Sequence, residues 1–320
     1  MRRFHAEANR EHAIAASSSP STRTTRLSLA ALALGITGVG FAPVFMRLSE
    51  LGPNATALYR VAFALPFLLL WLSLERRPVS PPGGRRRMRR SDWLLLALSG
   101  LFWSGDLVFW HWSITLTSVA NSTFFACSSP IFVIIGARLI FGEHISRGFL
   151  AGFALTLGGG ACLLGSSLAF NGGDWLGDAF GVVTAFFFGA YLLTIKHLRD
   201  TLPAGAIMFW SGLFSLPGML LAALLTGDGF VAASLFGWSM LIGLALLAHV
   251  LGQGLAAYAL AHLPASFTSV AFLGEPVVAA ILGWLILAEA LGPLQALGCA
   301  IILAGVWLAQ RYGVRDTMAG

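Results

Sequence analysis

Residues 128–160, SSPIFVIIGARLIFGEHISRGFLAGFALTLGGG, and residues 274–306, GEPVVAAILGWLILAEALGPLQALGCAIILAGV, carry the same pattern twice. At one fixed offset Pro130 falls on Pro276, Glu143 on Glu289, Gly152 on Gly298 and Gly159 on Gly305. A repeat of about half the chain decides the architecture before any single helix is considered. Upstream the register continues with small changes of offset: Phe63 to Pro66 (FALP) matches Phe214 to Pro217 (FSLP), and Gly40 matches Gly189. The two copies therefore occupy residues 27–166 and 175–311.

A helix crosses a bilayer with about 20 apolar residues. Such stretches lie near 27–47, 54–74, 92–113, 118–140, 148–166, 175–196, 204–226, 234–259, 265–287 and 292–311, five to each copy. Five is odd, so the second copy enters the membrane from the opposite side. The expected fold class is all-α and integral to the membrane, with ten transmembrane helices arranged as two inverted five-helix repeats. Secondary transporters are commonly built this way, with the substrate site near the midplane between the repeats.

Composition agrees. The chain is 57% hydrophobic and 11% charged, against about 25% charged in an ordinary soluble domain, so too few polar residues remain to cover a water-facing surface. The net charge of +6 does not point to nucleic acid, because the positive residues are mostly arginines in two clusters, with Lys196 the single lysine. Arg2, Arg3, Arg10, Arg23 and Arg26 precede the first span, and Arg76, Arg77, Arg85, Arg86, Arg87, Arg89 and Arg90 follow the second. Arg138 and Arg147, then Lys196 and Arg199, then Arg311 and Arg315 fall on the same side, while Arg47 stands almost alone opposite. By the positive-inside rule both termini are expected in the cytoplasm of a cell membrane. Residues 1–26 read as a disordered cytoplasmic tail, residues 312–320 as a second tail, and the first apolar run as a retained span without a clear cleavage site. Cys127, Cys162 and Cys299 lie inside apolar stretches with no metal-ligand spacing, so no metal or cofactor is expected.

These residues resemble the EamA-type ten-helix family of the drug/metabolite transporter superfamily, over roughly residues 27–311. The likeness rests on Glu275-Pro276, Glu289, Gly298 and Gly305, on their first-half echo Pro130, Glu143 and Gly152, and on Arg60. It implies that helices one to four and six to nine surround a central cavity, with five and ten outside as scaffold, and that the protein exports or exchanges small metabolites. Ser129 stands where the second copy has Glu275, so whatever that carboxylate does is asymmetric.

Ionisable side chains cost roughly 2.5–3.5 kcal/mol at the centre of a membrane helix, which makes each a functional candidate. Glu275 and His249 are the deepest, about 15 Å from their span ends. Glu275 suits proton coupling or a substrate amine; alternatively it satisfies backbone groups freed by Pro276. His249 and Gln253 share one face of span eight, as cavity lining or as interhelical hydrogen-bond glue. Arg60 suits a substrate carboxylate, the headgroups or an ion pair with Asp106. Asp106 and His111 lie toward the outer end of span three, where solvation alone would account for them. Among the 10 Trp and 24 Phe, Trp103, Trp110, Trp112, Tyr191, Trp210 and Tyr258 lie at or near the same helices, and Tyr191 and Trp210 are taken as cavity candidates. Most tryptophans belong to interfacial belts or packing.

The expected partners are a small-molecule substrate and membrane lipid. The substrate classes are amino acids and related metabolites or, in the alternative, organic cations and drugs. No Walker-type G-x-x-x-x-G-K-[ST] couples ATP, and no G-x-S-x-G or H-E-x-x-H motif marks an intramembrane enzyme. A membrane protein that kept the fold and lost transport is the third class.

Overall fold

The computed structural model describes residues 22–75, 88–117, 119–165, 175–288 and 291–319. Among these, ten helices are long and apolar enough to cross a membrane: α1 (Arg23–Leu48), α2 (Pro53–Leu74), α3 (Arg90–Ile114), α4 (Asn121–Ile140), α5 (Arg147–Leu164), α6 (Trp175–Arg199), α7 (Ala204–Thr226), α8 (Leu235–Ala259), α9 (Ala265–Leu287) and α10 (Pro293–Gly313). The chain is a multi-pass membrane protein of two inverted five-helix repeats. Residues 1–21, the arginine-rich loop 76–87 and Glu289 lie outside the described residues. The expected tail boundaries shift at both ends: helix already begins at Thr22, and the last helix runs on to Ala319. An even number of crossings puts both chain ends on one face of the bundle, here called the terminal face.

Helices from the two repeats alternate around a closed ring. In contact order it runs α1, α8, α2, α7, α3, α6, α4, α9 and back to α1. The α5 and α10 helices pack on each other outside the ring, against α4 and α9. Their interface is backbone on backbone: a Cβ on Gly152 would stand 2.5 Å from the Ala309 nitrogen, and one on Gly159 2.7 Å from that of Ile302. Lipid supplies no hydrophobic drive between helices, so the van der Waals contact that small residues permit holds such pairs.

Three spans are broken, and proline explains each break. Proline clashes with the carbonyl four residues back and lacks an N–H. Helix accordingly stops at Ala126, four before Pro130, and at Phe272, four before Pro276, then resumes at Ser129 and Glu275. Pro43 does the same near Gly40 in α1. The α8 helix changes winding instead, to π type over Leu244–Gln253. Gly35 and Gly38 of α1 lie directly on it, a Cβ on Gly38 falling 2.6 Å from the Leu247 carbonyl oxygen.

Candidate functional site

Five helices of the ring bring one polar cluster together in its interior. Arg60 comes from α2, Trp103 and Asp106 from α3, Tyr191 from α6, His249 from α8 and Glu275 from α9. The Arg60 guanidinium lies 5.3 Å from the centroid of the Trp103 ring, within cation–π range. Trp103 stands 4.9 Å from the Tyr191 ring and 5.6 Å from His249. The charged neighbours of Arg60 are Glu275 and Asp106. The break before Pro276 places Glu275 at the first turn of a half-helix, and the π segment carries His249.

Unmet hydrogen bonding marks the cluster. Arg60 Nε and Nη2, Trp103 Nε1 and both ring nitrogens of His249 are buried without a hydrogen-bond partner. Arg60 is 5% exposed, Trp103 3% and His249 1%, so bulk water does not serve them. A buried polar group left unsatisfied costs about 1–3 kcal/mol, and native proteins hold few of them; five such atoms lie within this one cluster. The Tyr191 hydroxyl reaches only Met208 Sδ, at 3.8 Å. Asp106 and Glu275, in contrast, each keep some accessible surface.

Other candidates fall elsewhere. His111 sits at the face opposite the termini, its Nδ1 2.8 Å from Asn54 Oδ1 and its Nε2 buried without a partner. Gln253 is buried within the π segment of α8. Trp210 is not brought to the cluster: it packs on Trp93 at 4.7 Å and near Phe214, between α3 and α7. Glu143 accepts hydrogen bonds from the Ala265 and Ser266 nitrogens and from Ser266 Oγ, binding the α4–α5 connection to the start of α9. Gly152 and Gly298 lie at the α5–α10 contact, and Pro130 and Pro276 at the breaks of α4 and α9.

Sequence reasoning missed a set of carboxylates that join the repeats. At the terminal face Glu75, just beyond α2, accepts from the Ala204 and Gly205 nitrogens that open α7, at 3.1 and 2.7 Å. At the opposite face Asp228, just beyond α7, accepts from the Asn54 and Ala55 nitrogens that open α2, at 2.8 and 2.9 Å. Glu50 holds Ser234 at the start of α8 through its nitrogen and hydroxyl, and these bonds keep the Glu50 carboxyl below the ordinary glutamate value. Lys196 donates to the Leu260 and Leu263 carbonyls at the end of α8. All exploit the free N–H and C=O groups of helix ends and the helix dipole. The available signal was positional: Glu75 and Asp228 follow equivalent spans of the repeat.

A ring of alternating inverted repeats around a buried charged cluster defines a membrane transporter. The chain matches the EamA-like transporter family over residues 26–165 and 175–310, and it belongs to that family. A "Probable terminal-alkyne amino-acid exporter" of Streptantibioticus cattleyicolor is 28% identical over 297 residues, covering 89% of this chain and 95% of that one. A protein of known crystal structure shares the fold with a TM-score of 0.70 at 18% identity, over 91% of this chain and 99% of that one. The protein is a small-molecule transporter of the drug/metabolite type and not an enzyme.

Proposed function

We propose that the protein exports a small amino acid or a close derivative across the cytoplasmic membrane by alternating access around the Arg60 cluster, with both termini in the cytoplasm. The observation that carries the reading is the group of unpartnered buried atoms on Arg60, Trp103 and His249. A substrate carboxylate meets the guanidinium fork of Arg60 and the Trp103 N–H, charge-assisted bonds being roughly twice as strong as neutral ones. The substrate ammonium takes Glu275 and Asp106, the charged neighbours of Arg60. With the zwitterion bound, two carboxylates still face one guanidinium plus a neutral ligand, so a proton is the natural coupling ion. The similar exporter of S. cattleyicolor, whose name specifies an amino acid, supports this class over organic cations.

The test is extracellular metabolite profiling of cells producing the parent protein, Arg60→Lys or Glu275→Gln at equal folded yield. Parent cells should enrich an amino acid outside. Arg60→Lys should weaken its apparent affinity by about 10- to 100-fold, because an ammonium cannot reproduce the fork. Equal export by all three proteins refutes the site, and enrichment of a lipophilic cation in place of an amino acid refutes the substrate class.

A further inference from the structure

At the terminal face one hydrogen-bonded contact crosses the ring. In the ring order α6 and α8 stand diametrically opposite, with three helices between them on either side. Yet Lys196 Nζ of α6 donates to the Leu260 carbonyl at 2.9 Å and to the Leu263 carbonyl at 3.0 Å, and the end of α8 packs on α6 there. Leu260 and Leu263 are each 1% exposed, and Ala256, Ala257 and Ala259 just before them are buried as well. The tip of α8 therefore shuts the terminal face. Lys196 is the bolt across it, an ammonium satisfying carbonyls that a helix end leaves without partners.

The inverted repeat supplies a counterpart. Lys196 stands seven residues after Gly189, and Arg47 stands seven after Gly40, the glycine that matches it. At the fixed offset that carries Pro130 onto Pro276, Leu260 and Leu263 fall on Ile114 and Thr117 at the end of α3. The helices α1 and α3, counterparts of α6 and α8, are likewise diametrically opposite, but no comparable packing joins them among the described residues. Ile114 and Thr117 stay partly exposed where Leu260 and Leu263 are sealed. Equivalent residues are thus closed at one face and not at the other.

We propose that Lys196 and Arg47 are reciprocal gate residues: Lys196 bolts the terminal face in the state described, and Arg47 bolts the opposite face in the alternate state by donating to the Ile114 and Thr117 carbonyls. The proposal rests on alternating access as read above. It also accounts for Arg47 as an isolated cation on the face where the positive-inside rule disfavours one.

The experiment follows thiol accessibility of the full-length protein in membrane vesicles of known orientation, with Cys127, Cys162 and Cys299 replaced by alanine and a membrane-impermeant maleimide as the probe. Leu260→Cys reports the terminal face, its labelling rate scaling with the fraction of protein open there. Lys196→Met should label at this position about tenfold faster, the equivalent of one charge-assisted hydrogen bond lost. Arg47→Met, at the far end of the molecule, should label it about tenfold more slowly, because the alternate state has lost its own bolt. The two substitutions together should return the rate toward the parent value. Arg47 is exposed, so Arg47→Met tests the pairing even if Lys196→Met fails to fold. A Leu260→Cys rate that Arg47→Met leaves unchanged overturns the proposal and makes Lys196 a brace of one helix end. Alternating access is tested separately by adding Ile114→Cys to the Leu260→Cys protein. A maleimide adduct at position 260 wedges the terminal face open and should protect position 114 from a second maleimide. Protection at position 114 with no effect of Arg47→Met overturns the gate pair and leaves alternating access standing; no protection overturns both.

Discussion

Trp103 tests binding against packing, because its buried ring contacts both the cation and the aromatic neighbours of the cluster while its N–H has no protein partner. The ring packs beneath Arg60 and against Tyr191, while Nε1 is buried with no partner. Trp103→Phe keeps an aromatic face and removes the donor together with part of the ring. If that donor serves the substrate, apparent KM should rise about fivefold, equivalent to about 1 kcal/mol, with maximal flux and folded yield unchanged. A fall in yield at constant KM would make Trp103 a packing residue instead. Arg60, Asp106, His249 and Glu275 were legible as candidates because a charge or imidazole in an apolar helix is anomalous. Trp103 was not, since tryptophan in such a helix is ordinary; Tyr191 and Trp210 looked equivalent, and only their packing separates them. Trp210 turns to Trp93, and nothing local to its sequence distinguishes that from facing inward.

At the scale of helices, the α5–α10 pair offers a test of scaffold against machinery. Gly152 lies so close to the α10 backbone that even a methyl group cannot fit. Gly152→Ala should force the two helices apart, at a cost of about 1–3 kcal/mol from overpacking, and lower the melting temperature in detergent by several degrees. Transport per folded molecule should stay at the parent level, because neither helix belongs to the ring. Gly158→Ala is the control, since its Cβ would meet nothing within 4 Å, and it should melt with the parent protein. A Gly152→Ala protein of parent stability, or one whose flux per molecule collapses, would contradict this division. The spans and the repeat were readable because apolar length acts locally, and a disturbed turn was expected before Pro276; the breaks near Pro43 and Pro130 were not, since Pro66 and Pro217 sit inside unbroken helices. The π winding of α8 was not readable either, because LALLAHVLGQ suits α winding equally well; the segment lies against Gly35 and Gly38 of α1. The ring order was likewise unreadable, being a matter of which surfaces meet between helices far apart in the sequence.

At the scale of the whole molecule, α2 and α7 are tied at both ends by a reciprocal pair of carboxylates. Glu75 follows α2 and holds the start of α7; Asp228 follows α7 and holds the start of α2. The two ties sit on opposite faces and are mates under the inverted repeat. If alternating access opens one face while the other stays shut, each tie stabilises closure of its own face only. Glu75→Ala should then favour opening at the terminal face and Asp228→Ala opening at the opposite one. Each carboxylate makes two backbone bonds at a helix N-terminus, worth about 1–2 kcal/mol together, which shifts a two-state ratio roughly 5- to 30-fold. Apparent affinity scales with the fraction of protein open to the side sampled. In proteoliposomes, therefore, Glu75→Ala should lower KM measured from the terminal face and raise it from the other, and Asp228→Ala should do the reverse. The double substitution should return both values toward those of the parent. Two single substitutions that move KM in the same direction on the same face would show that these carboxylates brace the fold as a whole and do not bias which face opens.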